Sequence, residues 1–186
     1  MFDMGTSAGE MKCYKAELNF NLRDSNLISL EGGITPDAIP ENACAIIKSL
    51  RKSACRALLK DEKAVLTEVT EGLKICVNGK NAIWKLSDIL FRTGILNWKA
   101  RKCIGLIAQV MKGYDESDEL LGTIITSVTM ARTEGNILRM FVAGWYLQEV
   151  SEQQISMHIR KEAAQRDVKV VGFYRYHSWP SRIGFL

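Results

Sequence analysis

The sequence predicts an α+β domain in which helices pack against a mixed, mainly antiparallel sheet, in the order β-α-β-α-α-β-β-α-β. Three stretches carry that expectation. From Cys13 to Leu22 the apolar Tyr14, Ala16, Leu18, Phe20 and Leu22 alternate with Lys15, Glu17, Asn19 and Asn21, the period of a half-buried strand. Thr123 to Arg132 and Ile137 to Gln148 are rich in β-branched and aromatic residues and flank Glu134-Gly135-Asn136, a connection short enough for a hairpin. Ser151 with Gln154 three positions on has the spacing of a capping box, so a helix is expected from there to Arg166.

The other elements follow in chain order. Glu31-Gly32-Gly33-Ile34-Thr35-Pro36 through Pro40 reads as a loop, because glycine frees the backbone and each proline disfavours helix in its predecessor. Glu41 to Lys60 then places Ala43, Ile46, Ile47, Leu50, Ala54, Ala57 and Leu58 at three- and four-residue spacing, which predicts a helix with one apolar stripe. Leu73, Ile75 and Val77 alternate with polar neighbours before the turn pair Asn78-Gly79, a second strand. Asn81 to Gly113 divides near Gly94 into two helices. Ile83, Leu86, Ile89 and Leu90 face inward on the first, and Ile104, Ile107, Val110 and Met111 on the second. Asp115 to Glu119 is an acidic, solvated loop, and Val168 to Tyr176 is the last strand. One domain is expected over 13–177, with a flexible leader over 1–12 and a tail over 178–186.

Composition narrows the class. A chain of 186 residues suits one core, and 47% hydrophobic with 25% charged residues is the balance of a folded protein rather than a disordered one. No apolar run approaches the roughly 18 to 20 residues that span a bilayer, and Met1 to Met11 lacks a basic region followed by an apolar core. The expectation is a protein neither membrane-spanning nor secreted. Cys13, Cys44, Cys55, Cys76 and Cys103 are odd in number and dispersed, which suits free, buried thiols in a reducing, intracellular compartment.

A search for chemistry returns little. His158 and His177 stand apart from any cysteine or histidine cluster with zinc-ligand spacing, so no metal site is expected. Ser49-Leu50-Arg51-Lys52 matches an S-x-x-K pattern but lacks the companion elements of the serine acylases that use it. The glycines form neither a P-loop nor a dinucleotide fingerprint. No catalytic residue, cofactor or small-molecule substrate is therefore expected, and function should lie in binding or assembly.

Charge supplies the candidate binding residues. Lys48, Lys52, Arg56 and Lys60 recur every four positions with Arg51 beside them, so on the expected helix they form a basic stripe. Lys99, Arg101 and Lys102 follow Trp98 as a second cluster, with Arg92 one helix earlier. Such clusters neutralise RNA phosphates or anionic lipid headgroups, or else are solvated helix faces. Trp84 and Trp145 read as core anchors. Tyr174, Tyr176 and Trp179 gather near the end of the last strand as a candidate interface for a second copy; alternation of the tyrosines on one strand face leaves a core role open.

The leader, the strand Tyr14-Lys15-Ala16-Glu17-Leu18-Asn19-Phe20, the helix after it, the segment Arg101-Lys102-Cys103-Ile104-Gly105-Leu106-Ile107 and the Thr123 to Gln148 hairpin occur in an order that resembles the rhabdovirus matrix proteins, especially the small ones of plant viruses. The lysine-rich leader and proline-tyrosine budding motif usual in animal-virus members do not appear before Cys13. The resemblance implies a non-enzymatic, self-associating structural protein of the host cytoplasm or virion that links the viral nucleocapsid to an anionic membrane surface. It carries over no site residue. The alternative is an RNA-binding regulatory protein, such as a viral silencing suppressor, that uses the same basic helix without touching a membrane.

Overall fold

The computed structural model describes residues 12–48, 52–60, 62–112, 124–146 and 151–176. Along the chain these form β1 (Lys12–Asn21), β2 (Leu27–Gly32), β3 (Asn42–Ile47), α1 (Lys52–Leu58), β4 (Val65–Val69), β5 (Gly72–Asn78), α2 (Ala82–Thr93), α3 (Trp98–Val110), β6 (Ile124–Glu134), β7 (Ile137–Tyr146), α4 (Glu152–Ala164) and β8 (Val168–Tyr176). The eight strands make one sheet in the order β4-β5-β3-β2-β6-β7-β1-β8. Every ladder among the described residues is antiparallel. The fold is thus α+β with helices packed on an antiparallel sheet, and the mixed character expected from sequence is absent from these ladders.

The sheet consists of two four-stranded halves. One backbone pair, Gly32 with Ala131, joins β2 to β6. Side chains extend this narrow seam: Leu30 N–H donates to Thr133 Oγ1 at 3.0 Å, and Thr133 N–H donates to Glu31 Oε1 at 2.8 Å. Helix α2 lies across the seam, packed on β2, β3, β5 and β6. Its Ile83 comes so close to Gly32 that a Cβ there would stand 2.7 Å from Ile83 Cγ1. Apolar burial beneath α2, rather than the ladder, holds the halves together. The core fills the space between helices and sheet, with Leu18, Phe20, Leu30, Ala45, Ile75, Leu86, Leu90, Ile104, Ile107 and Met140 buried.

Local signals set most boundaries. Helix α2 stops at Gly94, whose φ of 68° suits a residue without a Cβ. Helix α3 starts at Asn97, whose side chain accepts the Ala100 N–H, and α4 starts with the complete Ser151 and Gln154 capping box. Ile83, Leu86, Ile89, Leu90, Ile104, Ile107 and Met111 are buried, and Val110 is partly so. Trp84 anchors α2 to α3 by donating its indole N–H to Ala108 O at 3.1 Å.

The expected helix over Glu41 to Lys60 does not form as one element. Asn42 to Ile47 is strand β3, and only Lys52 to Leu58 is helical. Ala43, Ala45 and Ile47 point into the core at period two, a pattern hidden inside the three- and four-residue spacing of the wider stretch. Ladders on both sides of β3, to β2 and β5, satisfy its backbone and fix it as a strand. Strands β2 and β4 are also additional to the expected order, and Glu31 and Gly32 belong to β2 rather than to the loop. The cysteines are a second correction. Cys44 and Cys76 form a disulfide, while Cys13, Cys55 and Cys103 are buried outside it. Their separation of 32 residues leaves no local spacing signal; strand pairing sets them directly opposite one another. The acidic run over 115–119, the tail over 178–186 and all of the leader except Lys12 lie outside the described residues.

Candidate binding face of the sheet

Directly opposed residues in an antiparallel ladder project to the same side, so register assigns each face. Tyr14, Ala16, Leu18 and Phe20 of β1 point to the helices and are buried. The intervening Lys15, Glu17 and Asn19 point away, and their partners Phe141, Arg139, Tyr174, Gly172 and Lys169 share that side. Across β7, Arg139 faces Arg132 of β6. In the other half Glu31 stands opposite Cys44, Cys44 opposite Cys76, Ile46 opposite Lys74, and Lys74 opposite Thr67. Among the described residues this face carries no helix; it is the helix-free face.

The segment after β2 crosses that face. Gly33 has φ 75° and lies against the Thr129 carbonyl, where any Cβ would collide. The chain then brings Asp37 to an ion pair with Lys15 of β1. It leaves a concavity on each side. One of about 380 Å³ is lined by Ser29, Glu31, Asn42, Cys44, Lys74 and Arg132. Another of about 360 Å³ is bounded by Lys15, Glu17, Asp37, Phe141 and Tyr174.

The cations of this face fall into two groups. Arg139 donates to Glu17 at 2.8 Å and to Glu134 at 3.3 Å, bonds that raise its pKa, and Lys15 is held by Asp37. Lys74, Arg132 and Lys169 have no ion-pair partner among the described residues. Their fields are directed at solvent on the same side as the exposed ring of Tyr174 and the half-buried ring of Phe141. No helix among the described residues is long and apolar enough to cross a membrane, and no group of three or more His, Cys, Asp or Glu there could hold a metal ion.

The binding residues expected from sequence are placed elsewhere. Lys48 follows β3, where its N–H donates to Asn26 O at 2.8 Å, and Lys60 lies in the turn after α1. Only Lys52 and Arg56 are on the helix, so the four-residue spacing builds no helical stripe. Arg56 pairs with Glu68 at 2.9 Å. Arg51 and the Lys52 side chain lie outside the described residues. The α3 cluster is largely engaged in packing. Arg101 donates to Phe91 O at 2.7 Å, at the end of α2, and lies 4.1 Å above the Phe91 ring. Lys102 pairs with Asp167 at 2.6 Å and sits over Trp98. Lys99 is half-exposed. Tyr174 is 57% exposed, which excludes the core role left open for it. The side chains of Tyr176 and Trp145, and all of His177 and Trp179, lie outside the described residues. His158 is exposed on α4. Sequence reading misses Lys74, Arg132 and Lys169 because they are scattered along the chain and converge only through strand order.

No protein-family model and no curated protein matches the chain. Among solved structures it is similar to the aminoacylhistidine dipeptidase of Vibrio alginolyticus, with a TM-score of 0.38 and 10% identity. The match covers 92% of this chain and 45% of that one, so the chain spans less than half the length of that protein. A likeness of that size carries no functional argument.

Proposed function

We propose that the protein is a non-enzymatic RNA-binding and assembly protein that takes single-stranded RNA on the helix-free face of its sheet. One observation carries the reading: Lys74, Arg132 and Lys169, without ion-pair partners among the described residues, share that face with Phe141 and Tyr174. Cations along a sheet neutralise the phosphate backbone, and aromatic rings between them stack on unpaired bases. The basic residues first suggested by the sequence are secondary here, because Arg56, Arg101 and Lys102 already have protein partners. RNA binding places the protein inside a cell or a virion.

A second observation favours self-association. The outer edge of β4 has no neighbouring strand among the described residues, its ladder to β5 is regular, and Val65 is 61% exposed there. At the opposite edge, β8 is interrupted by a bulge at Val171, which discourages strand addition. RNA binding combined with strand-edge assembly is the working pattern of a matrix-type structural protein, with the RNA-binding regulator as its monomeric alternative.

Fluorescence anisotropy with a labelled single-stranded RNA, repeated at increasing salt, tests the RNA reading, with anionic liposome co-sedimentation run in parallel. Lys74→Gln, Arg132→Gln and Lys169→Gln together should weaken RNA binding and flatten its salt dependence, by about 0.7 in log-log slope for each phosphate that is no longer neutralised. Unchanged affinity in the triple variant, or binding to liposomes without binding to RNA, overturns it.

A further inference from the structure

We infer that the Cys44–Cys76 disulfide is an exchange site for a small carboxylate-bearing thiol, which enters the concavity beside Cys44 and attacks the Cys44 sulfur. Three observations converge. The bond joins residues directly opposed on β3 and β5, with Cα atoms 4.1 Å apart, on the helix-free face and not in the core. Both cysteines are only partly buried, unlike Cys13, Cys55 and Cys103. Cys44 lines the 380 Å³ concavity, whereas Cys76 lies on the next strand outward.

The position of the concavity fixes the direction of reaction. Thiol–disulfide exchange needs the attacking sulfur in line with the bond it breaks. A thiol entering from the β2 side meets Cys44 first, with Cys76 behind it as the leaving group. Lys74 and Arg132 line the same space without ion-pair partners among the described residues, and Glu31, the acid that lines it there, is held by the Thr133 N–H. The local field therefore draws a carboxylate and stabilises thiolate over thiol.

The chemistry balances as a two-electron exchange. The incoming thiolate forms a bond to Cys44 Sγ, the S–S bond breaks, and its electron pair leaves on Cys76 as a thiolate, which takes the proton lost by the attacking thiol. A second thiolate then attacks the small-molecule sulfur of the mixed disulfide. That step releases Cys44 as the second thiolate, which is protonated in turn, and yields the oxidised dimer of the small thiol. The backbone ladder from Asn42–Asn78 to Ile47–Leu73 is untouched, so the strands stay paired in both states.

The experiment treats the whole oxidised protein, without RNA, with reduced glutathione and in parallel with uncharged 2-mercaptoethanol. Free thiols are quenched with an alkylating agent, followed by intact mass and peptide mapping. We expect a glutathione adduct on Cys44 with Cys76 alkylated. In the Lys74→Gln, Arg132→Gln variant the glutathione reaction should slow by about 3- to 10-fold at low salt, while the mercaptoethanol reaction, whose thiolate carries no carboxylate, slows clearly less. Should that variant fail to fold by circular dichroism, the wild type supplies the same comparison: added salt slows glutathione more than mercaptoethanol. An adduct on Cys76, equal slowing of both thiols, or reaction only in denaturant overturns the inference. The outcome does not depend on RNA affinity, so this site and the RNA reading succeed or fail separately.

Discussion

The Tyr14 hydroxyl hydrogen-bonds the Thr126 hydroxyl inside the core, across 112 positions of sequence, and the Tyr14 ring passes over Gly144 to reach it. Gly144 is opposite Tyr14 on one side and Thr126 on the other, so the three residues form one row across β1, β7 and β6. The row needs a residue without a side chain in the middle. Gly144→Ala should press a methyl group into the Tyr14 ring and destabilise the fold by about 1 to 3 kcal/mol. Tyr14→Phe, which leaves the Thr126 hydroxyl without this partner, should cost about 1 to 3 kcal/mol. Urea unfolding monitored by circular dichroism measures both. Wild-type stability in Gly144→Ala would show that the ring does not occupy that row.

The same phenol makes stability pH-dependent in the alkaline range. Burial raises the Tyr14 pKa well above its ordinary value of 10.0, outweighing the opposing effect of the Thr126 hydrogen bond. Below about pH 10 both folded and unfolded chains hold the proton and the group is silent. Above it the unfolded chain releases its proton while the folded one keeps it, so stability falls, by about 1.4 kcal/mol per pH unit. Tyr14→Phe should lose this slope, seen as a shallower decline of melting temperature above pH 10 than in the wild type. Parallel declines would contradict the burial of a neutral phenol.

Asn26 ties three separate segments together and should be the most sensitive polar residue outside the core. Its amide donates to Ile95 O at 2.9 Å and accepts the Asn97 N–H at 2.8 Å, and its carbonyl accepts the Lys48 N–H. Asn26→Ala removes both side-chain bonds and should cost about 2 to 4 kcal/mol, while Asn26→Asp keeps the acceptor and should cost about half as much. Equal losses in chemical denaturation would mean that only the donor to Ile95 matters.

Self-association through the β4 edge makes a fourth case. Val65→Lys places a charge beside the open backbone groups of that strand and should shift sedimentation toward smaller species, with stability changed by no more than about 0.5 kcal/mol. Tyr174→Ala should leave oligomer content unchanged and weaken RNA binding instead. The reverse pattern would move the assembly surface to β8.

Long periodic elements are legible in the sequence. The alternation of β1, the β6–β7 hairpin around Gly135, the α2 and α3 stripes with Gly94 between them, and the α4 capping box all occur where local signals put them. Glu41 to Lys60 is the exception, because Ala43 and Ile47 fit either period and tertiary ladders decide the outcome. The candidate face is hidden for the same reason. Lys74, Arg132 and Lys169 are 58 and 37 residues apart in sequence (132 − 74 and 169 − 132), and strand order alone puts them on one side. The Cys44–Cys76 pair likewise exists only once β3 and β5 are in register.

The narrow seam between Gly32 and Ala131 also sets an order in which the two halves can fold as the chain is made. The half containing β2, β3, β4 and β5 is contiguous in the chain, and α2 follows it directly, so a nascent chain can close this half while the rest is still being made. Strand β1 leaves the ribosome before that half but belongs to the other one, between β7 and β8, the last strand described. It therefore waits, with Tyr14, Leu18 and Phe20 uncovered, until more than a hundred further residues have emerged. Pairings of such high sequence separation form slowly, and an apolar strand kept waiting is a site for chaperone capture or for pairing with the wrong chain.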